Sequence, residues 1–452
     1  MKMDQLIVTI FSAICFVAIA QIPIARVCRR NPVIRSWKYL IIMLSLLWGL
    51  FFVIRVYTLR DLPGARADST THEFNAHKIA DYIRAGDVRS AFSMGGIGNY
   101  GFDFAVGTIY AFTNAPDQAV MALFTLMAFS GLLTLLDVLA RSTQATAMPF
   151  WVVVIVCAYP EALFFASDTL KEGPVLWGAC NMLRLIVPDP TRKGVRRWIA
   201  PIAGTATFMF LRPHIAFMWL MAIGATVIIK QRRWGLAFLM LIVISLAGLL
   251  MVLMAPLQFR AVLQRGMFET LEGSVHMTGI DVGGSQIFYD TGAPIPAVTG
   301  ATLLFLRPFP WEAPHWIAFL AGAEAWFLTT VMIISWLNLR HWRRFATRPL
   351  MLTSLIVAIL MAFFFTYIPN LGLVVRQRIQ FFPAMMVLAA TPGLIRRSRL
   401  YQPQLQSGFP LPIRPAKQRI IPVGARPMAI PALRPPLPRR FTVTAPRRPP
   451  PH

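Results

Sequence analysis

The stretch Leu303-Leu304-Phe305-Leu306-Arg307-Pro308-Phe309-Pro310-Trp311-Glu312 sets the terms on which the rest of the chain is read. A short apolar run ends in an arginine, two prolines around Phe309, a tryptophan and a carboxylate. The run is too short to cross a bilayer as a helix, which takes roughly 20 residues. The prolines stop a helix from continuing through the charged end. Such a segment dips into a membrane and presents a cation and a carboxylate at its edge. Its meaning depends on which other charges share that edge.

Composition sets the class. The 452 residues are 56% hydrophobic and 14% charged, against about 25% charged in a soluble domain, which marks a membrane protein. The net charge of +25 is uneven: from Arg396 onward there are twelve Lys and Arg, fourteen Pro and no acidic residue. The stretch 401–452 cannot bury a core and reads as a disordered cytoplasmic tail. It either draws the chain to anionic lipid heads or docks a partner through its proline-rich segments. Cys15, Cys28, Cys157 and Cys180 lie in or beside apolar runs with no C-x-x-C spacing, against a disulfide framework or metal site. No D-x-D motif, P-loop or nucleotide-sugar site is present. No cofactor is evident, a divalent metal is compatible but unsupported, and nothing calls for a nucleic acid.

Apolar runs predict helices near 6–27, 39–58, 118–140, 149–166, 174–188, 198–211, 213–229, 235–256, 316–338, 350–368 and 379–395. Together with the tail they define an all-α polytopic bundle over 1–400. The first run is an uncleaved anchor, because its basic cluster follows the apolar segment. Basic groups at Arg26 to Lys38, Arg192 to Arg197, Lys230 to Arg233, Arg340 to Arg348 and Arg396 to Arg399 mark cytoplasmic loops. All fall on one side if 198–229 is a helical hairpin turning at Arg212-Pro213-His214 and if 99–113 is re-entrant or superficial. The expectation is then about eleven crossings of a bacterial inner membrane, N-terminus outside and C-terminus cytoplasmic. Two long outer loops remain, about 59–117 and 257–315.

Under this topology the other polar residues gather on the outer side. They are Asp68, His72 and Glu73 in the first loop; Asp168, Lys171 and Glu172 after the fourth helix; and Arg212 and His214 at the hairpin tip. Arg307 and Glu312 come from the second loop, and Arg376 and Arg378 precede the last helix. Outer arginines run against the usual charge sorting, and charges near bilayer depth face a cavity or a partner. Each has a plainer reading too: Asp168 paired with Lys171, a solvated 68–73 face, a structural cap at 212–214, Arg376 and Arg378 snorkelling to lipid phosphates, Trp311 as an interfacial anchor. As a set they suit a lipid-linked diphosphate, since arginine grips phosphate oxygens in a fixed fork. A carboxylate beside them would take the proton of a sugar hydroxyl. Aromatics such as Tyr100, Phe102, Tyr110, Phe309 and Trp311 would stack on sugar rings.

The order of features resembles bacterial polytopic proteins of exopolysaccharide and O-antigen assembly, and more distantly membrane glycosyltransferases of the GT-C type. The resemblance spans about 68–383. It rests on Asp68-x-x-x-His72, on Tyr159-Pro-Glu-Ala-Leu-Phe-Phe165 leading to Ser167-Asp-x-x-Lys171-Glu172, on Leu211-Arg-Pro-His214, on Leu306-Arg-Pro-Phe-Pro-Trp-Glu312 and on Val375-Arg-Gln-Arg378. It implies transfer or polymerisation of polyprenyl-diphosphate-linked saccharides at the outer face, with polysaccharide export proteins as partners. Asp68 would be the base, with His72 and Glu73 beside it. Arg212, Arg307, Arg376 and Arg378 would clamp the diphosphate, supported by Lys171, His214 and Glu312. The competing expectations are a flippase for lipid-linked saccharides and a non-catalytic scaffold of an export complex.

Overall fold

Helix α1 (Met3–Arg30) shows in one element how this chain solves its solvent problem. Thr9, Ala13, Phe16, Ala20, Ile24 and Val27 are buried, recurring every three or four residues, while Ile7, Phe11, Ile14 and Ile22 form an exposed stripe at the same spacing. A helix with one apolar face packed and the other exposed is stable only where the exposed side meets lipid. Among the described residues five helices are long and apolar enough to cross a membrane, within Met3–Arg30, Lys38–Leu59, Asp117–Thr143, Ala318–Leu337 and Val374–Ile395.

The computed structural model describes residues 3–59, 67–96, 98–231, 296–312, 316–337, 348–365 and 371–396, and these contain no strand. The expected helix at 235–256, most of the expected outer loop 257–315 and the tail lie outside the described residues. After α1 come α2 (Pro32–Arg35) and α3 (Lys38–Ile54), which continues into a π-helical turn, Arg55–Leu59. The expected first outer loop is largely helical: α4 (Ala67–Arg84), α5 (Val88–Ser93) and α6 (Asn99–Thr113). At 15 residues α6 is roughly 22 Å long, short of a bilayer core, and it packs along α4. Gly107 permits that approach, since a Cβ there would stand 2.7 Å from the Ala76 carbonyl oxygen.

The bundle proper continues with α7 (Asp117–Thr143), α8 (Phe150–Cys157), α9 (Pro160–Ala166), α10 (Glu172–Met182), α11 (Ile199–Leu211) and α12 (Pro213–Gln231). It is completed by α13 (Pro296–Phe305), α14 (Trp316–Leu337), α15 (Pro349–Phe365) and α16 (Leu371–Arg396). The predicted break at Arg212 is present: its φ of −141° and ψ of 66° leave the helical region between α11 and α12. The opening stretch becomes the short helix α13, a cis Arg307–Pro308 peptide and a 3-10 turn at Pro310–Glu312.

Two ends of the bundle follow from chain direction. At one, the last turns of α1 and α7 meet the loop after α10, where Arg30 and Arg141 both bind Asp189. At the other stands the turn between α9 and α10. Between them the core is aromatic, with Trp48 edge-on to Phe129 at 5.7 Å and its Nε1 donating to the Cys157 carbonyl at 2.6 Å. Helices α10 and α11 touch through Gly178 and Gly204; a Cβ on Gly178 would lie 2.7 Å from the Gly204 carbonyl oxygen. Small residues at such crossings let backbones approach where lipid supplies no hydrophobic drive. Helix α16 is buried almost throughout its apolar window although it carries Arg376, Gln377, Arg378 and Gln380. Polar groups at that depth need partners, and those partners build the site.

Candidate functional site

The turn Ser167-Asp168-Thr169-Leu170-Lys171-Glu172 is buried at every residue. Its local shape is self-made: the Ser167 hydroxyl caps the end of α9 by donating to the Leu163 carbonyl at 2.6 Å, and the Thr169 N–H donates to Asp168 Oδ1 at 2.8 Å. Glu172 then begins α10, where a negative charge suits the positive end of the helix dipole. Gly173 allows the turn to lie against α7, because a Cβ would stand 2.6 Å from the Phe124 carbonyl oxygen.

Each polar side chain of the turn grips a different element. Asp168 binds Arg55 of the π-helical turn at 2.7 Å, both groups almost fully buried. Thr169 donates to Glu73 of α4 at 2.9 Å. Lys171 donates to the Asn99 side chain at the start of α6. Glu172 accepts from Arg212 at 3.1 Å and from Arg376 at 3.0 Å, which ties the α11–α12 turn and α16 to the same carboxylate. The simple Asp168–Lys171 pair is not formed; the two face different helices. Among the described residues this cluster sets three cations, Lys171, Arg212 and Arg376, around one carboxylate.

Beside it lies a second constellation. His72 Nδ1 is 2.5 Å from Asp103 Oδ1, and Asn75 donates to Asp103 Oδ2 at 2.9 Å. His72 is buried and stands edge-on to Phe102 at 5.1 Å. Asp103 follows Asn99 by one turn of α6, roughly 6 Å along the axis, so the dyad and the Lys171 contact share a helix face. Glu73 and His72 are buried, not a solvated face. A carboxylate on Nδ1 holds a neutral imidazole as its Nδ1–H tautomer, which leaves the lone pair on Nε2.

The expected four-arginine clamp is divided. Arg378 is fully buried and spends its guanidinium on structure: Nη1 donates to Glu161 at 3.0 Å, Nε to the Leu304 carbonyl at 3.1 Å, and Nη2 to the Arg307 carbonyl. Neither Arg376 nor Arg378 snorkels to solvent. Glu161 also accepts from the Tyr159 hydroxyl at 2.5 Å, and Tyr159 stacks on Phe382 at 3.6 Å. Arg307 pairs with Glu312 at 2.6 Å, and Glu312 accepts the Phe309 N–H at 3.0 Å, so this carboxylate is the partner of Arg307. Trp311 is exposed and stacked on Phe309 at 4.9 Å, as an interfacial aromatic would be. His214 packs on Phe364 at 5.3 Å. Asp68 opens α4, and its side chain lies outside the described residues.

The sequence reading passed over Asp103, Asn99 and Arg55. Their signal was a lone carboxylate and a lone arginine, each in an otherwise apolar run, with Asn99 four residues before Asp103. Among the described residues no group of three or more His, Cys, Asp or Glu side chains is placed to hold a metal. No family model matches the chain, and no curated protein or solved structure matches it either.

Proposed function

We propose that the chain is an integral membrane glycosyltransferase or polysaccharide polymerase acting on polyprenyl-diphosphate-linked saccharides. Its site opens at the extracytoplasmic face of a bacterial inner membrane, in a bundle of about eleven crossings with the N-terminus outside. One observation carries the reading: Lys171, next in sequence to the carboxylate that binds Arg212 and Arg376, contacts Asn99, one helical turn from Asp103 of the His72–Asp103 dyad. Guanidinium and ammonium groups gathered at one point suit a diphosphate, and an imidazole oriented by a carboxylate suits proton removal from a hydroxyl.

In the proposed step the acceptor hydroxyl oxygen attacks the anomeric carbon of the lipid-linked sugar. Its proton passes to His72 Nε2, and the anomeric C–O bond to diphosphate breaks with the electron pair leaving on oxygen. Arg212, Arg376 and Lys171 balance that departing charge. Glu172 holds the two guanidinium groups in register, and Asp103 holds the imidazole. This step gives the base role to His72, one of the candidates beside Asp68, while Arg378 and the Arg307–Glu312 pair fix the wall formed by α13 and α16. The test is chain formation in cells that depend on this protein. His72→Ala and Arg376→Ala are expected to abolish the polysaccharide at wild-type levels of membrane-inserted protein. Normal product from either variant contradicts the proposal.

A further inference from the structure

The opposite end of the bundle holds a second site. A cavity of about 1100 Å³ opens between the last turns of α1 and α7, the short helix α2 and the loop after α10. Arg30, Arg141 and Arg197 line it, together with apolar groups such as Val33, Trp37 and Met148. The surroundings are rich in cations. Asp189 binds Arg30, Arg141 and Arg192, and Asp137 binds Arg141 and Arg184. With Arg197, five arginines thus face two aspartates. Arg141 Nη2 and Arg197 Nε are buried with no hydrogen-bond partner among the described residues, and a buried guanidinium nitrogen left unpaired is costly. Asp137 and Asp189 are already engaged by other arginines, and an added anion would complete these donors.

Apolar groups also line the cavity, and Tyr39 and Trp198, close in sequence to its Trp37 and Arg197, are exposed. Aromatics so placed mark the headgroup level of a membrane, as does the position at the ends of the long helices α1 and α7. The geometry points to a binding site for the phosphate of an anionic phospholipid, the headgroup on Arg141 and Arg197 and the first methylenes against Trp37 and Met148. A free phosphate shares the charge chemistry but has no use for the apolar lining. The site lies apart from the Glu172 cluster and stands whether or not that cluster transfers sugars.

The experiment uses the full-length protein, extracted in mild detergent and exchanged against equal phosphatidylglycerol and phosphatidylcholine, with retained lipid counted by mass spectrometry. Phosphatidylglycerol is expected to be retained over phosphatidylcholine by about tenfold, the size of one charged hydrogen bond. Arg197→Gln, which removes no ion pair, is expected to erase most of that preference without shifting thermal unfolding in phosphatidylcholine alone. Arg196→Gln, on a neighbour outside the cavity, is expected to leave the preference intact. Equal retention of the two lipids, an equal loss in Arg196→Gln and Arg197→Gln, or release of the lipid by millimolar inorganic phosphate overturns the assignment.

Discussion

The guanidinium of Arg376 meets the carboxylate of Glu172 at 3.0 Å, with the Glu172 side chain fully buried. The pair joins the last described helix to the turn between α9 and α10. The same carboxylate oxygen accepts from Arg212, so removing its charge and removing one cation have unequal consequences. Glu172→Gln removes the buried charge that two guanidinium groups share and is expected to destabilise the fold by roughly 3–5 kcal/mol. Arg376→Ala keeps the Arg212–Glu172 pair and is expected to cost less stability but at least about 100-fold in transfer rate. Thermal unfolding in detergent and product formation, measured side by side, separate the two. Equal stability losses would contradict the unequal roles.

Arg378 behaves differently from its neighbour two residues away. It binds Glu161 and three backbone carbonyls, of Leu304, Arg307 and Ala321, from α13, the segment after it and α14. Arg378→Ala is therefore expected to unfold this wall, with a loss on the order of 3–5 kcal/mol for an orphaned buried carboxylate. Protease cleavage near Phe309 at low temperature reports it. A variant as protease-resistant as wild type would make Arg378 a ligand-facing group after all.

The dyad gives a kinetic signature. Asp103→Asn preserves shape but no longer fixes the His72 tautomer, and is expected to lower kcat by about 10²–10⁴-fold, the usual span of a general base. KM for the lipid-linked donor should stay near its wild-type value, since the proposal gives the diphosphate to the other cluster. A rise in KM with kcat unchanged would place Asp103 in donor binding.

Acid should weaken the basic end. Burial pushes the Asp189 carboxyl up, but hydrogen bonds from Thr191 and Arg141 outweigh it and hold the group below the usual carboxylate range. A carboxylate lowered in the folded state stabilises the protein above its unfolded value, about 3.9, and that stability is lost as pH falls through the folded value. Asp189→Asn is expected to lower stability at neutral pH and to flatten its decline below about pH 4. Parallel acid-unfolding curves for wild type and variant would remove Asp189 from the account.

Much of the fold was legible because membranes simplify the reading. Long apolar runs and clustered Lys and Arg report helices and their ends directly, and Pro213 marked the α11–α12 break. The site was legible only in part. Lys171, Arg212 and Arg376 were found because, in the topology that the basic clusters suggest, cations at those turns violate charge sorting, and Glu172 was found beside Lys171. The sequence could not say which carboxylate each would meet. Arg376 and Arg378 look equivalent in Val375-Arg-Gln-Arg378, yet two residues on a helix point to nearly opposite sides, so one reaches Glu172 and the other Glu161. Asp103 escaped because a single acid in a Phe-rich run carries no motif, and its pairing with His72 depends on how α4 and α6 pack.

The central claim is sugar transfer from a lipid diphosphate by the His72 and Arg376 clusters acting together. Its most direct test is the purified full-length protein in proteoliposomes with a polyprenyl-diphosphate-linked oligosaccharide. Lengthened saccharide and released polyprenyl diphosphate are followed by mass spectrometry. The account predicts one released diphosphate per new glycosidic bond with wild type, and loss of both products with His72→Ala and with Arg376→Ala in folded protein. Stoichiometric product from either folded variant, or movement of unchanged donor across the bilayer without bond formation, contradicts it.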